Sequence, residues 1–345
     1  MLLERLQLLN FRNFIDESIT FPNKKILRIA GSNGSGKTNF LEAIFILYTT
    51  RSFRNKKTMK DCVRETEDFF SISAQIQGIS HAFSFANQKA EKNLFISKEK
   101  VKSLDFIRGK NILHFSPEES HYFFHSQDYR RSLLDRYVSA LDDQYLKNLV
   151  QYNQLKNRKV QILLSKTGRK KVLLELESPL FVDISSTIST ARGRFLDQLN
   201  PLFQAYLRVF NSKLGNTTLV YKRKNIPLDF IDKEISNEKC MYGSHKDELE
   251  VVENGKEVRQ YFSNGEKKAI NLAFHFSFME YLKNQSGVPC LVCLDDIESE
   301  LDQKTLQNIH GMIDEADSQF IITSKLTDPS VSWDIFLQDG KILRG

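Results

Sequence analysis

Apolar and polar positions alternate from Leu2 to Leu9, the period of a half-buried strand. Ser18 to Phe21 reads as a short second strand ended by Pro22-Asn23. Ile26 to Ala30 reads as a third, broken only by Arg28. A glycine-rich loop follows at once. From Asn39 to Tyr48 the period changes to that of a helix, with Phe40, Leu41, Ile44 and Leu47 predicted on one face. Phe70 to Gln77, His81 to Ala86 and Asn93 to Ser97 read as short strands with polar turns. Asp105 to Phe115 closes this part, and Ser116-Pro117-Glu118-Glu119 has the form of a helix start.

Helical periodicity then dominates over Tyr129–Leu141, Tyr145–Leu164 and Phe181–Phe210, with a basic loop expected at Ser165–Lys171. Strands return with Leu219–Lys222. A hairpin is expected over Glu248–Glu253 and Glu257–Phe262, turning at Asn254-Gly255. An amphipathic helix (Ala269–Lys283), buried strands at Leu291–Leu294 and Phe320–Thr323, and a last hairpin turning at Asp339-Gly340 complete the pattern. The predicted organisation is an α/β head split by a helical arm. Its N-terminal part is 1–125, the arm 126–210, and its C-terminal part 211–345.

Composition narrows this picture only slightly. Hydrophobic residues at 41% and charged residues at 27% of 345 suit a globular chain. No apolar run nears the roughly 20 residues of a membrane helix, and the N-terminus lacks the form of a signal peptide. No membrane association and a cytoplasmic location are therefore expected. The net charge of +6 is compatible with a phosphate-rich partner without requiring one. Cys290 and Cys293 form a C-x-x-C inside an apolar run with no second pair, so they are expected to act as small buried hydrophobes.

The chemistry begins at Gly31-Ser32-Asn33-Gly34-Ser35-Gly36-Lys37-Thr38, a Walker A loop between a strand and a helix. Its glycines let backbone N–H groups fold around phosphates at a helix N-terminus. Lys37 is expected to reach the β- and γ-phosphates of ATP, and Thr38 to ligate Mg²⁺. A second acidic site is expected at the end of an apolar strand, and Leu291-Val-Cys-Leu294-Asp295-Asp296 supplies it. Asp295 is the expected metal ligand. Asp296 is the expected base or orienter for the attacking water.

The two motifs lie about 250 residues apart, too far for a small P-loop fold and suited to an ABC/SMC-type head split by insertions. Such a head carries a serine-glycine signature before a helix upstream of the second motif. Ser263-Asn264-Gly265-Glu266 stands there, with Ser263 and Gly265 expected to bind the γ-phosphate of another subunit. The competing reading is a plain helix cap, with Glu266 closing a capping box. Ser299-Glu300-Leu301-Asp302 matches a D-loop. Thr323 and Ser324 stand where ABC ATPases often carry a switch histidine.

In this order the motifs resemble the RecF family of bacterial recombination mediators. Leu9-Asn10-Phe11-Arg12-Asn13-Phe14 is similar to its N-F-R-N-Y, and Thr38 to Ile44 to its T-N-L-L-E-A-I. Arg51 to Arg54 matches R-S-F-R, and Phe115 to Glu118 matches F-S-P-E. Gly243 to Leu249 is similar to G-P-H-R-D-D-L, and Asp295 to Asp302 to D-D-x-x-S-E-L-D. The chain departs from the family at Asn264 and Glu266, where S-Q-G-Q is usual. It departs again at Lys246 and at Thr323-Ser324-Lys325.

The resemblance implies two heads closing around two ATP molecules, an ATP-dependent homodimer on DNA at single-strand/double-strand junctions. It implies RecR and RecO partners that help load RecA in DNA repair, replication restart and SOS induction, with weak hydrolysis serving as a switch. The alternative is an SMC- or ABC-like ATPase clamp with no RecA-loading role. Arg51 with Arg54, Lys56 and Lys57 form one candidate DNA surface. Arg130-Arg131 form a second. Lys156, Arg158 and Lys159 with Arg169 to Lys171 form a third.

Overall fold

The structure is a computed structural model that describes residues 3–21, 24–54, 58–257, 262–299, 301–324 and 333–344. Lys56, Lys57, Glu300, Lys325 and positions 258–261 of the expected hairpin lie outside these residues. Two compact units emerge: 1–119 with 282–345, and 120–281. The expected arm segment 126–210 falls within the second.

The first unit opens with β1 (Leu3–Phe11), β2 (Phe14–Thr20), β3 (Ile26–Gly31) and α1 (Lys37–Thr49). β4 (Phe69–Ile76), β5 (Ile79–Ala86), β6 (Glu91–Ile96), β7 (Glu99–Lys100), α2 (Ser103–Ile107) and β8 (Ile112–Phe115) follow. α3 (Pro117–His125) carries the chain across the division. The second unit holds α4 (Gln127–Leu141), α5 (Asp143–Leu164), α6 (Lys170–Phe210), β9 (Thr217–Lys222), α7 (Phe230–Asn237), β10 (Glu248–Glu253), β11 (Lys256–Glu257) and most of α8 (Asn264–Ser286). The chain returns to the first unit for β12 (Leu291–Asp295), α9 (Gln303–Glu315), β13 (Gln319–Ser324), β14 (Ile335–Gln338) and β15 (Lys341–Arg344).

Two sheets build the first unit. An antiparallel sheet has the order β2-β1-β4-β5-β6-β7. A mixed sheet has the order β15-β14-β3-β13-β12-β8, parallel from β14 to β8. The parallel order places β13 between β3, which feeds the glycine loop, and β12, which ends in Asp295. The candidate site therefore gathers at the C-terminal ends of neighbouring parallel strands, where open α/β sheets hold ligands.

α1 packs against strands of both sheets. Every residue from Phe40 to Tyr48 is buried. The expected single apolar face is thus corrected: the helix has no solvent face over these residues, because it fills the space between two layers. Even Glu42 is fully buried. α8 shows the same difference. It begins earlier than expected, and its interior buries Lys268, Asn271, His275 and Ser277 beside its apolar residues.

In the second unit α6 runs 41 residues and starts well before Phe181, with Pro179 and Pro201 inside it. The expected basic loop shortens accordingly. Leu174, Ser178 and Phe181 keep one buried line across the proline, and Ser178 Oγ donates to the Leu174 carbonyl at 2.6 Å. Packing thus carries the helix through a residue that locally disfavours it. Both hairpin turns have positive φ at both central residues: 50° and 77° at Asn254-Gly255, 49° and 76° at Asp339-Gly340. That is the type I′ signature.

Candidate nucleotide site

β3 ends at Gly31, and the loop enters α1 through Gly36, whose φ of 114° is left-handed. A Cβ at Gly36 would lie 2.7 Å from Asn13 Nδ2, and one at Gly31 would lie 2.5 Å from the Leu337 carbonyl. Both positions need glycine because backbone and neighbours close in on them. Ser32, Asn33 and Gly34 are exposed at the tip, while Ser35 is buried. Lys37 Nζ donates to the carbonyls of Gly31 at 2.6 Å and Ser32 at 2.9 Å, so the ammonium lies inside the loop.

Thr38 Oγ1 donates to Asp295 Oδ2 at 2.7 Å. Two residues 257 positions apart thus meet at the head of neighbouring elements. The hydroxyl and the carboxylate are oxygen donors, the set that suits Mg²⁺, which takes one or two protein ligands and completes its shell with phosphate and water. Asp296 adopts φ 49°, and its carbonyl accepts from Ser299 Oγ at 3.0 Å. Asp302 caps α9 by accepting from the Thr305 N–H at 2.9 Å.

A brace behind the loop was invisible in the sequence. Asn13 Nδ2 donates to the Ser35 carbonyl at 3.2 Å, and the Gly340 N–H donates to the same carbonyl at 3.1 Å. Asn39 Nδ2 donates to Asn13 Oδ1 at 2.8 Å. The N-terminal N-F-R-N motif and the last hairpin therefore hold the loop from opposite ends of the chain. The motif itself marked Asn13, but nothing marked the Asp339-Gly340 turn as a neighbour of the loop.

Glu42 lies deeper. Arg12 meets it with Nε at 2.9 Å and a terminal nitrogen at 2.8 Å. Arg54 lies 3.2 Å away, and Ser52 Oγ donates to it at 2.6 Å. Arg54 also donates to Asn39 Oδ1 at 2.8 Å. A carboxylate with no solvent exposure is thereby paired with two guanidinium groups. Truncating one member leaves buried charge uncompensated. Glu42→Ala is expected to destabilise the fold by about 3–5 kcal/mol. Thermal and urea unfolding check this, and a loss under about 1 kcal/mol would contradict it.

The candidate DNA clusters divide sharply. Arg51 is exposed, whereas Arg54 is committed to Glu42 and Asn39. Arg130 is fully buried and donates to the Phe123 carbonyl. Arg131 bonds Asp128 and the Asp247 carbonyl. Lys159 is buried against Glu234 at 2.7 Å, between the rings of Phe181 and Phe230. These are structural cations, not solvated faces. On the arm, Lys166 and Arg169 are exposed. Arg158, Lys170 and Lys171 pair with Glu177, Glu238 and Asp232.

The Gly243–Leu249 motif also turns inward. Tyr152 OH lies 2.6 Å from His245 Nδ1, and burial pushes the His245 pKa down to about 4. The Asp247 carboxylate accepts from Ser189 Oγ, Tyr221 OH and the Lys224 N–H. Arg192 joins Asp135, Tyr221 OH and the Ser244 carbonyl. The motif knots α4, α5, α6 and β9 together, a role that its sequence did not disclose.

Ser263 is exposed and forms a capping box with Glu266. Glu266 Oε2 accepts from the Ser263 N–H at 2.8 Å and from its hydroxyl at 2.9 Å, and the Glu266 N–H points to Ser263 Oγ at 3.3 Å. Gly265 sits in the first turn of α8. Both belong to the second unit, and the glycine loop, Asp295 and Asp296 to the first. Cys290, just before β12, and Cys293, within it, are buried free thiols, and burial raises the Cys290 pKa to about 12. Among the described residues no group of three or more His, Cys, Asp or Glu could hold a metal ion, and no helix is long and apolar enough to cross a membrane.

A parallel sheet with a glycine loop, an acid-ended strand one place removed from it and a long intervening helical segment defines the head class shared by RecF, RecN and SMC proteins. The family model for the RecF/RecN/SMC N-terminal domain matches residues 2–331. Solved SMC head domains share the fold. The Pyrococcus furiosus head with an extended coiled coil aligns at TM-score 0.58 and 16% identity, covering 99% of this chain and 95% of that one. Within the class, similarity to one member runs the whole length. The DNA replication and repair protein RecF of Carboxydothermus hydrogenoformans is 30% identical, covering 99% of this chain and all of the relative. That of Geotalea daltonii is 28% identical over 94% and 93%. A solved structure of the recombination mediator RecF with ATP in the RecFOR pathway aligns at TM-score 0.86 and 23% identity, covering 100% of this chain and 99% of that one. The chain belongs to the RecF family.

Proposed function

We propose that this chain is an ATP-dependent recombination mediator that dimerises on DNA. The observation that carries the reading is the 2.7 Å contact between Thr38 and Asp295, which brings a phosphate loop and an acidic strand end into one site. The RecF–ATP complex named above supports ATP as the ligand. The loop N–H groups and Lys37 bind and orient the phosphates. Thr38 and Asp295 would hold Mg²⁺, which when bound neutralises phosphate charge. Asp296 orients the attacking water and takes its proton. Ser263 and Gly265 of a second copy complete the site, so ATP acts as the glue of a homodimer and its slow hydrolysis as the release.

To meet a phosphate, the Ser263 hydroxyl must exchange the Glu266 carboxylate of the capping box for it. That exchange is open to it because Ser263 is exposed at a helix N-terminus, whose dipole favours an anion. Once dimerised, the protein would bind gapped DNA and, with RecR- and RecO-type partners, support RecA loading, replication restart and the SOS response in the cytoplasm.

Ser263→Arg tests the shared site. ATP binding to the monomer should stay within about threefold, because Ser263 acts on the partner's nucleotide, while ATP-dependent dimers fall at least tenfold. Light scattering and gapped-DNA binding with and without ATP measure both. Normal dimers in Ser263→Arg would remove the shared site from the proposal.

A further inference from the structure

Thr323 stands where a switch histidine is common, yet its surroundings give it a different task. β12 and β13 are parallel neighbours, and their register sets Thr323 beside Asp295. Thr323 is fully buried. Its hydroxyl donates to Asp295 Oδ1 at 2.5 Å and accepts from the Asp296 N–H at 3.2 Å. One side chain therefore touches both residues of the acidic pair: the carboxylate of the first and the backbone of the second.

The geometry has two consequences. Asp295 has two oxygens, and each has its own hydroxyl. Oδ1 is held by Thr323 from the core side and Oδ2 by Thr38 from the phosphate loop. Thr323 thus fixes the rotation of the carboxylate and leaves Oδ2 as the oxygen shared with Thr38. The second consequence concerns Asp296. Its φ of 49° is uncommon for a residue with a Cβ, and hydrogen bonds to its backbone help to hold it there. The Thr323 oxygen supplies the one to its N–H, and Ser299 Oγ the one to its carbonyl.

We propose that Thr323 is a positioning residue that aims Asp295 Oδ2 at the metal and holds Asp296 in its left-handed conformation, so that metal ligand and base are set by one buried hydroxyl. This rests on the reading of Asp295 and Asp296 given above. Outer partners of metal-binding carboxylates are commonly worth 10–100-fold in metal affinity or activity. A hydroxyl at this place cannot carry a charge or reach as far as an imidazole. The strand end is thereby built for orientation rather than for direct contact with a phosphate.

The test compares Thr323→Val, which removes the hydroxyl at nearly constant shape, with Thr323→Ser, which keeps it. Thr323→Ala replaces the valine variant if that protein does not fold. The Mg²⁺ concentration giving half-maximal ATP affinity is measured by titration of a fluorescent ATP analogue. ATP affinity in EDTA and steady-state kcat and KM are measured alongside. Loss of the hydroxyl should raise the Mg²⁺ requirement about tenfold or more and lower kcat at saturating Mg²⁺. Affinity in EDTA should move less than about threefold, and serine should restore both quantities to within about threefold.

An unchanged Mg²⁺ requirement in the valine or alanine variant overturns the proposal, as does a serine variant that behaves like valine. Wild type and Thr38→Ala separate the two layers of the argument. If wild-type affinity does not respond to Mg²⁺, or Thr38→Ala leaves that response intact, the metal site itself is misassigned. If those controls behave and only Thr323→Val is silent, the error lies in the role given to Thr323.

Discussion

Asp296→Asn is expected to slow ATP hydrolysis by about 10²–10⁴-fold, the usual worth of a positioned general base. The same substitution should leave ATP affinity within a few-fold, because it leaves in place the carboxylate that Thr38 bonds, which belongs to Asp295. Amide and carboxylate have nearly the same shape, and the local backbone is held from outside the side chain. The Asp296 N–H meets Thr323 Oγ1, and its carbonyl accepts from Ser299. With hydrolysis blocked, ATP-bound dimers should persist many times longer than in wild type. Single-turnover hydrolysis and dimer lifetime after dilution measure the two effects separately. Hydrolysis reduced less than tenfold would move the base elsewhere. Short-lived dimers with blocked hydrolysis would break the link between turnover and release.

Lys37→Met should act earlier, at binding. Lys37 Nζ sits inside the loop within 2.6 to 2.9 Å of two of its carbonyls, placed to move onto phosphate oxygens without reorganising the helix. Charge-assisted hydrogen bonds contribute about 1.5–3 kcal/mol each, so losing two weakens ATP by roughly 10²–10⁴-fold. Dimerisation and ATP-dependent DNA binding should disappear with it at millimolar ATP. Circular dichroism and thermal unfolding must show the variant folded, since the loop loses two internal bonds as well. ATP affinity within tenfold of wild type would remove Lys37 from the phosphate site. The contrast between the variants matters more than either value. One loses the nucleotide, and the other keeps it too long.

Both arguments begin from motifs that the sequence displayed, and the reason is local. A glycine loop between a strand and a helix is specified by neighbours in the chain, as is an apolar strand ending in two acids. The hairpin turns at Asn254-Gly255 and Asp339-Gly340 were legible for the same reason, because two positive φ values in succession demand such pairs. Helix α6 was less legible. Pro179 breaks a local rule, and only the packing of Leu174, Ser178 and Phe181 overrides it. α7 and α9 are not among the elements expected from the sequence: α7 is a single short helix, and α9 follows a D-loop whose Asp302 doubles as its cap.

Charge was the least reliable guide. Arg54, Arg130, Arg131 and Lys159 read as candidate DNA contacts, yet they are partners of Glu42, Phe123, Asp247 and Glu234. A one-dimensional pattern shows that a cation is present and not which way it points. Its direction depends on a carboxylate or carbonyl dozens of residues away. The same holds for His245, whose burial against Tyr152 no local pattern shows and whose pKa that burial lowers.

By itself, then, the sequence determined the glycine loop between strand and helix, the acidic strand end, the α/β head fold and the family. Each is written in short contiguous runs whose backbone demands are local. Tertiary structure alone decided that α1 is buried on all sides, that Asn13 and Gly340 brace the loop, and that Thr38 and Thr323 share Asp295 between them. Those outcomes depend on strand order and register in a parallel sheet. Burial then makes every unpaired polar group costly, so distant residues are selected as partners that no local pattern names.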